Sequence, residues 1–312
     1  MQLTEGGGAF LNDIEMGVGT WAWGDRLIWG FGSGYGEAEV AEAYSTSRQA
    51  GIRFFDTAEI YGQGVSERLL GKLAREDAGS ILIATKFLPF PWRLTRSALK
   101  KGLAGSLKRL GVEKIDLYQM HWPYPPVPIE SWMDAMAEAV REGSVGAVGV
   151  SNYDREQTER AAGRLASYGL TLASNQVEYN LLSREIETNG VLRYCQENGI
   201  RVIAYSPLAM GILTGKYTPE NLPAGIRFRR YSRRLLEQIQ PLIRLMFKIG
   251  SDHGGKTPAQ VAINWVIRKG AIPIPGSKNL VQAEQNAGAI GWRLDSKEVE
   301  ALDELSSRIL AQ

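Results

Sequence analysis

Four residues of the kinds that move protons stand at or just past the ends of short apolar runs in the first 121 positions: Asp56, Tyr61, Lys86 and His121. Asp56 closes "RFFD", Tyr61 comes next in "EIYG", Lys86 sits in "ATKF" and His121 in "QMHW". An acid, a phenol, an amine and an imidazole gathered in one place suit proton transfer to a developing alkoxide. A tyrosine titrates near about pH 10 and so normally holds its proton. A neighbouring ammonium favours the phenolate and is expected to lower that pKa, which makes the phenol a better acid near neutrality. Lys86 can supply the charge, and Asp56 can offset the cost of burying it. His121 can donate a hydrogen bond to a substrate oxygen and orient it. Each residue also has a plain structural reading, because an acid after a strand often caps a helix and a lysine there is commonly solvated. Their recurrence at successive run ends is what argues for a site.

The elements that must position them are eight short apolar runs: 15–20, 53–58, 81–87, 115–122, 145–152, 173–180, 201–208 and 271–277. Helical patterns lie between them. Leu99, Leu103, Leu107 and Leu110 share one helix face, with Thr95 at the expected N-cap and Gly111 at the expected C-terminal glycine position. Strand–helix alternation implies parallel strands with helical crossovers. Eight repeats predict an α/β fold, a (β/α)₈ TIM barrel spanning 1–312 as a single domain, with a doubly wound open sheet as the main competitor. Residues 209–237 read as a long loop inserted after strand seven, and Asp295 as the cap of a C-terminal helix. In a barrel, the carboxyl ends of the strands carry the chemistry, which places all four residues on one mouth.

The chain of 312 residues is 44% hydrophobic and 22% charged, and its net charge is +2. No basic field announces a nucleic acid partner, no run is long enough for a membrane span, and no obligate protein partner is evident. The lone Cys195 excludes an internal disulfide and suits a reducing, cytoplasmic setting, although an organelle-targeting segment removed from the start is compatible with it. Two histidines, His121 and His253, offer no metal-ligand spacing, so no metal is expected. His253 reads as a surface helix-end residue and Cys195 as an inert buried thiol. Gly17-x-Gly19-x-x-Ala22 superficially matches a dinucleotide fingerprint, but the residues after Ala22 lack helical periodicity.

The segments "FFDTAEIYG", "ATKF", "DLYQMHWP", "GVSNY", "NQVEYN", "YSPLAMGILTGKY" and "IPIPGSKN" resemble the aldo-keto reductase superfamily, over about residues 15–305. The resemblance implies a (β/α)₈ barrel and reduction of aldehydes or ketones with NADPH. It also implies that Asp56, Tyr61, Lys86 and His121 are a catalytic tetrad with Tyr61 as general acid. For the cofactor, Gly19, Thr20 and Trp21 are expected near the nicotinamide, beside Asp56. Ser151, Asn152 and Gln176 would hold the carboxamide, and Tyr205, with Ser206 beside it, would stack on the ring. Leu208, Gly211 and Lys216 suit a pyrophosphate. Gly276, Ser277 and Lys278 precede an expected helix start and suit the 2′-phosphate that separates NADP from NAD. Gln282 and Asn286 share a helix face turned toward the adenine. The family often shows an acid at the position of Gln285 and an arginine at that of Lys278, so two cofactor contacts differ here.

Trp21, Trp23, Trp92 and Trp122 are expected to form an aromatic substrate pocket that favours flat carbonyl compounds. "TWAWGDRLIWG" with "PWR" resembles the plant and cyanobacterial branch that includes pyridoxal reductase, which makes pyridoxal or another aromatic aldehyde the candidate small-molecule substrate. Arg93 on the same rim suggests phosphate-bearing substrates as well. Two readings compete with this one: a Schiff-base aldolase using Lys86, and a cofactor-binding accessory subunit with little turnover.

Overall fold

The computed structural model describes residues 8–77, 79–223 and 230–311. Every predicted run coincides with a strand, β6 beginning one residue before its run: β1 (Gly17–Gly19), β2 (Phe54–Asp56), β3 (Leu82–Phe87), β4 (Ile115–Met120), β5 (Val145–Ser151), β6 (Leu172–Glu178), β7 (Arg201–Tyr205) and β8 (Ile272–Pro273). Each pairs in parallel with the next in chain order. The ring is brought nearly to closure where the Gly19 N–H donates to the Pro275 carbonyl at 3.2 Å and Gly19 bridges Gly276. A Cβ at Gly19 would lie 2.8 Å from the Ile274 carbonyl oxygen, so glycine is what lets the first and last strands meet. The result is the (β/α)₈ barrel rather than the open sheet.

Local chemistry explains the connecting helices. Thr95 accepts a hydrogen bond from the Ala98 N–H at 3.1 Å, and Gly111 ends the helix Arg96–Leu110 in the left-handed region at φ 70°. Asp295 and Glu298 cap each other's N–H groups at the start of the helix Ser296–Leu310. The segment 209–237 differs from expectation. It begins as a tight 3₁₀ turn, Ala209–Thr214, and by Arg233 it is already helical. Ser232 caps the helix Arg233–Asp252, which buries Leu236, Ile239, Ile243 and Met246. That periodicity is hidden behind the basic stretch "RFRRYSRR". Residues 224–229 of this insertion lie outside the described residues.

The barrel lumen is layered. Phe54, Ala84, Leu117, Ala147, Ile203 and Ile272 fill its lower part, with Leu11 and Ile14 from the N-terminal turn packed against them. One step further along the strands the lining becomes polar: Asp56, Lys86, Gln119, Ser151 and Gln176 are all buried. The apolar layer shuts the polar one off from solvent on its lower side, so charges placed there must satisfy one another. Among the described residues, no helix is long and apolar enough to cross a membrane.

The support beneath the mouth is tight. In the helix Val65–Leu73, a Cβ at Gly71 would lie 2.3 Å from the Leu110 carbonyl oxygen. Alanine is the better helix former by about 1 kcal/mol, but backbone cannot yield as a side-chain tip can. Gly71→Ala is therefore expected to destabilise by about 1–3 kcal/mol, the cost of overpacking. Chemical denaturation checks this; a stabilised variant would show that the two helices separate freely.

Candidate active site

Lys86 and Asp56 are the pivot of the mouth. Both are wholly buried, and their charges meet across 2.5 Å. An ammonium has three donor hydrogens, and the Lys86 Nζ has three acceptors: Asp56 Oδ1, the Thr57 carbonyl at 2.9 Å and the Tyr61 hydroxyl at 3.3 Å. β2 and β3 are paired, which sets acid and amine side by side. A tight turn after β2, closed by the Tyr61 N–H on the Ala58 carbonyl at 3.0 Å, swings the phenol back over the amine. The His121 ring stands edge-on to the Tyr61 ring with centroids 5.8 Å apart. The four predicted side chains therefore do converge.

Their electrostatics depart from the simple expectation in one respect. Burial raises the Tyr61 pKa; the Lys86 charge opposes that, and the Asp56 charge reinforces it. The net direction is up, so the ammonium moderates the shift without reversing it. Burial likewise works against the Lys86 ammonium, but Asp56 and Tyr61 outweigh it and the net shift is also up. His121 is pushed down to about 3, first by burial and then by the Lys86 charge. The site at neutral pH thus holds a phenol with its proton, a fixed ammonium and a neutral imidazole. The His121 Nδ1 is buried with no partner among the described residues.

The residues expected to hold a nicotinamide are wired to these four. Gln176 donates to Asp56 Oδ2 at 2.8 Å, and the Ser151 hydroxyl donates to the Gln176 carbonyl at 2.9 Å. Asn152 donates to the His121 carbonyl at 3.1 Å and accepts from the Tyr205 hydroxyl at 3.0 Å. Thr20 is wholly buried, its hydroxyl directed to the Asp56 carbonyl and Ser66, so its side chain braces the end of β2 rather than facing a pocket. Among the described residues, the five non-glycine residues with left-handed backbone are Gln63, Asn152, Ser206, Ala209 and Met210, all in loops at this mouth. Clusters of such strained conformations mark sites held by their surroundings.

Around the last strand, Ser277 is buried, and its hydroxyl has no partner among the described residues. Lys278 is next in the chain, with its amine 4.7 Å from the Trp29 ring centroid and 4.9 Å from that of Tyr35. The helix begins at Leu280, two residues beyond Lys278, behind an Asn279 cap. Gln282 and Asn286 share its face, yet both reach back to the loop: Gln282 accepts from the Lys278 N–H at 3.0 Å, and Asn286 donates to the Gly276 carbonyl at 3.2 Å. On the neighbouring strand, Leu208 and Gly211 belong to the turn after β7, and Lys216 lies beyond it. An orphaned buried hydroxyl beside a cation fits a phosphate, which is the chemistry a 2′-phosphate site needs.

The tryptophans divide. Trp21 lies 6.2 Å from Tyr61 between ring centroids and meets Trp29 edge-on, while Trp122 stacks on Tyr124 next to His121. Trp23 does not belong to a pocket: it is fully buried, packs on Phe55 and donates to the Ser277 carbonyl at 2.8 Å. Two residues along a turn reverse a side chain's direction, so Trp21 and Trp23 part company. Trp92 is 76% exposed, stacks on Phe90 and lines a groove with Arg93, Thr95 and Lys101. Arg93 is held bidentately by Glu59, at 2.7 and 3.0 Å, which takes away the ground for a substrate-phosphate contact there. Of the remaining singled-out residues, Cys195 is buried and its thiol is pushed up to about 12 by burial; His253 caps a helix end beside Glu298.

Gln119 and Glu59 were not legible as parts of this site. Gln119 donates to Asp56 Oδ2 at 3.1 Å. Its place in "DLYQMHW", two residues before His121 on an alternating strand, is the signal that points it into the lumen.

A model of the aldo/keto reductase family matches residues 15–307. The chloroplastic pyridoxal reductase of Arabidopsis thaliana is 40% identical over 301 residues, covering 92% of this chain and 82% of that protein. Among solved structures, a glycerol dehydrogenase from Gluconobacter oxydans superposes with a TM-score of 0.84 at 26% identity, covering 96% of this chain and 93% of that one. An aldo-keto reductase from Klebsiella pneumoniae in complex with NADPH superposes with a TM-score of 0.74 at 28% identity, over 94% and 90% of the two chains. With the family's pattern running almost the length of the sequence and the barrel beneath it, the chain belongs to the aldo/keto reductase family.

Proposed function

We propose that this protein reduces aldehydes and ketones to alcohols, with Tyr61 as the proton donor and Asp56, Lys86 and His121 as its supporting groups. It is an NADP-dependent oxidoreductase. The observation that carries the assignment of roles is the Tyr61 hydroxyl at 3.3 Å from a lysine amine that is itself locked to a buried carboxylate. When bound, the dinucleotide supplies the hydride. Tyr61 delivers its proton to the carbonyl oxygen as charge develops there. An alkoxide is a far stronger base than a phenolate, so a phenol with a raised pKa still yields its proton to it. The fixed Lys86 ammonium then stabilises the phenolate left behind. His121, neutral, donates a hydrogen bond to the same oxygen. Ser277 and Lys278 would hold the 2′-phosphate, and Tyr205 at the end of β7 would flank the nicotinamide.

A Schiff-base role for Lys86 has no support in this geometry. Imine formation needs a neutral amine with a free lone pair, and Lys86 is a fully engaged ammonium. For the substrate, Trp21 and the Trp122–Tyr124 stack favour a flat ring, and the similarity to a pyridoxal reductase points the same way.

Tyr61→Phe should keep NADPH affinity, read by cofactor fluorescence, and lose about 10²–10⁴-fold in turnover; a variant that turns over normally would remove Tyr61 from its role. Because His121 stays neutral, kcat/KM for reduction should be level from about pH 6 to about pH 8, with no inflection near the ordinary histidine value of about 6.5. An inflection there that vanished in His121→Gln would contradict this. Lys278→Met should weaken NADPH far more than NADH in equilibrium titrations; equal weakening would place the 2′-phosphate elsewhere. In a panel monitored by loss of NADPH absorbance, pyridoxal and benzaldehyde-like compounds should exceed short polyol aldehydes in kcat/KM, and the reverse order would overturn the aromatic-pocket reading.

A further inference from the structure

We propose that Gln119 is a positioning residue for this reaction: it holds the second oxygen of Asp56 and so keeps the carboxylate aimed at Lys86. The inference rests on the proton-donor reading of Tyr61 and extends it to a residue that touches neither the phenol nor the mouth.

Gln119 is fully buried in the lumen. In the sheet register it stands beside Lys86 of β3 on one side and Gly149 of β5 on the other. A Cβ at Gly149 would come within 2.9 Å of the Gln119 Cγ, so the missing side chain on β5 leaves the space that Gln119 occupies. Its Nε2 lies 3.1 Å from Asp56 Oδ2, and its Oε1 accepts from Gln176 at 3.4 Å. The donor's identity comes from chemistry: an ionised carboxylate only accepts, so the amide nitrogen must face it. Asp56 therefore has an ammonium on one oxygen and two amides on the other. Gln176 is also expected to serve a bound carboxamide. Gln119, deeper in the barrel, is the donor that remains committed to Asp56 whatever Gln176 does.

The groups facing Asp56 are Lys86 from β3, Gln119 from β4, Gln176 from β6 and Tyr61 from the turn after β2, with His121 beside Tyr61. If the Gln119 amide is lost, the anionic form of Asp56 loses a charge-assisted bond and the grip on Lys86 slackens. The effect falls on proton delivery, not on binding.

The test uses the full chain with NADPH and a saturating aromatic aldehyde. Gln119→Met keeps length and fills the same space without a donor. Its kcat should fall by about tenfold, with KM for aldehyde and for NADPH within about twofold of the parent, the loss expected for one bond to a charged group. Gln119→Glu supplies the signature that a packing role lacks. Two adjacent carboxyls share one proton, and in that form the introduced group donates to Asp56 as the amide does. Its activity should rise toward the parent's as pH is lowered from about 8 to about 6, where the parent is level. A Met variant with parental kcat, a loss confined to KM, or a Glu variant whose pH profile superposes on the parent's would each overturn the proposal. Should the Met variant not fold, as judged by thermal denaturation, the Glu variant decides alone. Turnover in Tyr61→Phe would instead sink the underlying reading, so the two failures are distinguishable.

Discussion

The structure turns on a single salt bridge between Lys86 and Asp56, buried at the top of an apolar plug. Removing an ion from water costs several kcal/mol even after relaxation, and Coulomb attraction alone does not reliably offset it. The deficit is met here by hydrogen bonds to every remaining donor and acceptor. The ammonium has three acceptors, and the carboxylate's second oxygen has two amide donors. Tyr61 is the ammonium's third acceptor. The requirement that secures the charge in the barrel is thus the one that fixes a phenol over it, and the proposed catalytic arrangement is a consequence of satisfying the donors of a buried lysine.

That arrangement needs a rigid rim. The left-handed backbones at Gln63, Asn152, Ser206, Ala209 and Met210 each cost about 1–3 kcal/mol and persist only where the surroundings over-determine them. Asn152 shows how: its side chain ties the carbonyl after β4 to the hydroxyl at the end of β7 across the top of β5. The long loop after β1 is held in a comparable way. Asp25 accepts from the N–H groups of Ile28 and Trp29, Tyr35 donates to the Ala22 carbonyl, and the Trp29 and Tyr35 rings receive the Lys278 amine. The loop that carries Trp21 is thereby joined to the loop that carries the candidate phosphate site.

The features legible in the sequence are those that local rules or strand order decide. Thr95 and Asp295 announce their helices because capping is a contact three residues long. Asp56, Lys86 and His121 converge because consecutive parallel strands put their carboxyl ends side by side. Direction within a loop is not legible. Trp21 and Trp23 differ by two positions and by nothing in composition, yet one flanks the phenol and the other is core. Gln119 and Gln176 escape notice as carboxylate partners because their contacts span 63 and 120 residues. The sign of the Tyr61 shift is hidden for a related reason. The sequence shows the neighbouring charge, but the desolvation that outweighs it belongs to the assembled site.

The same desolvation bears on why the proposed mechanism draws its proton from one of two candidate donors. Tyr61 and His121 stand edge to face at the mouth, and either could in principle address a carbonyl oxygen. Burial and the Lys86 charge both disfavour the imidazolium, and His121 is neutral far below neutrality. A neutral imidazole that surrendered its one N–H would become an anion in a site that has already penalised charge. Tyr61 also becomes an anion on donating, but its oxygen faces an ammonium at 3.3 Å. One donor is thus backed by a cation and the other is not. The proposed division of labour, transfer by the phenol and orientation by the imidazole, thus follows from burial, which keeps the imidazole neutral, and from the Lys86 charge, which lies 3.3 Å from the phenol oxygen.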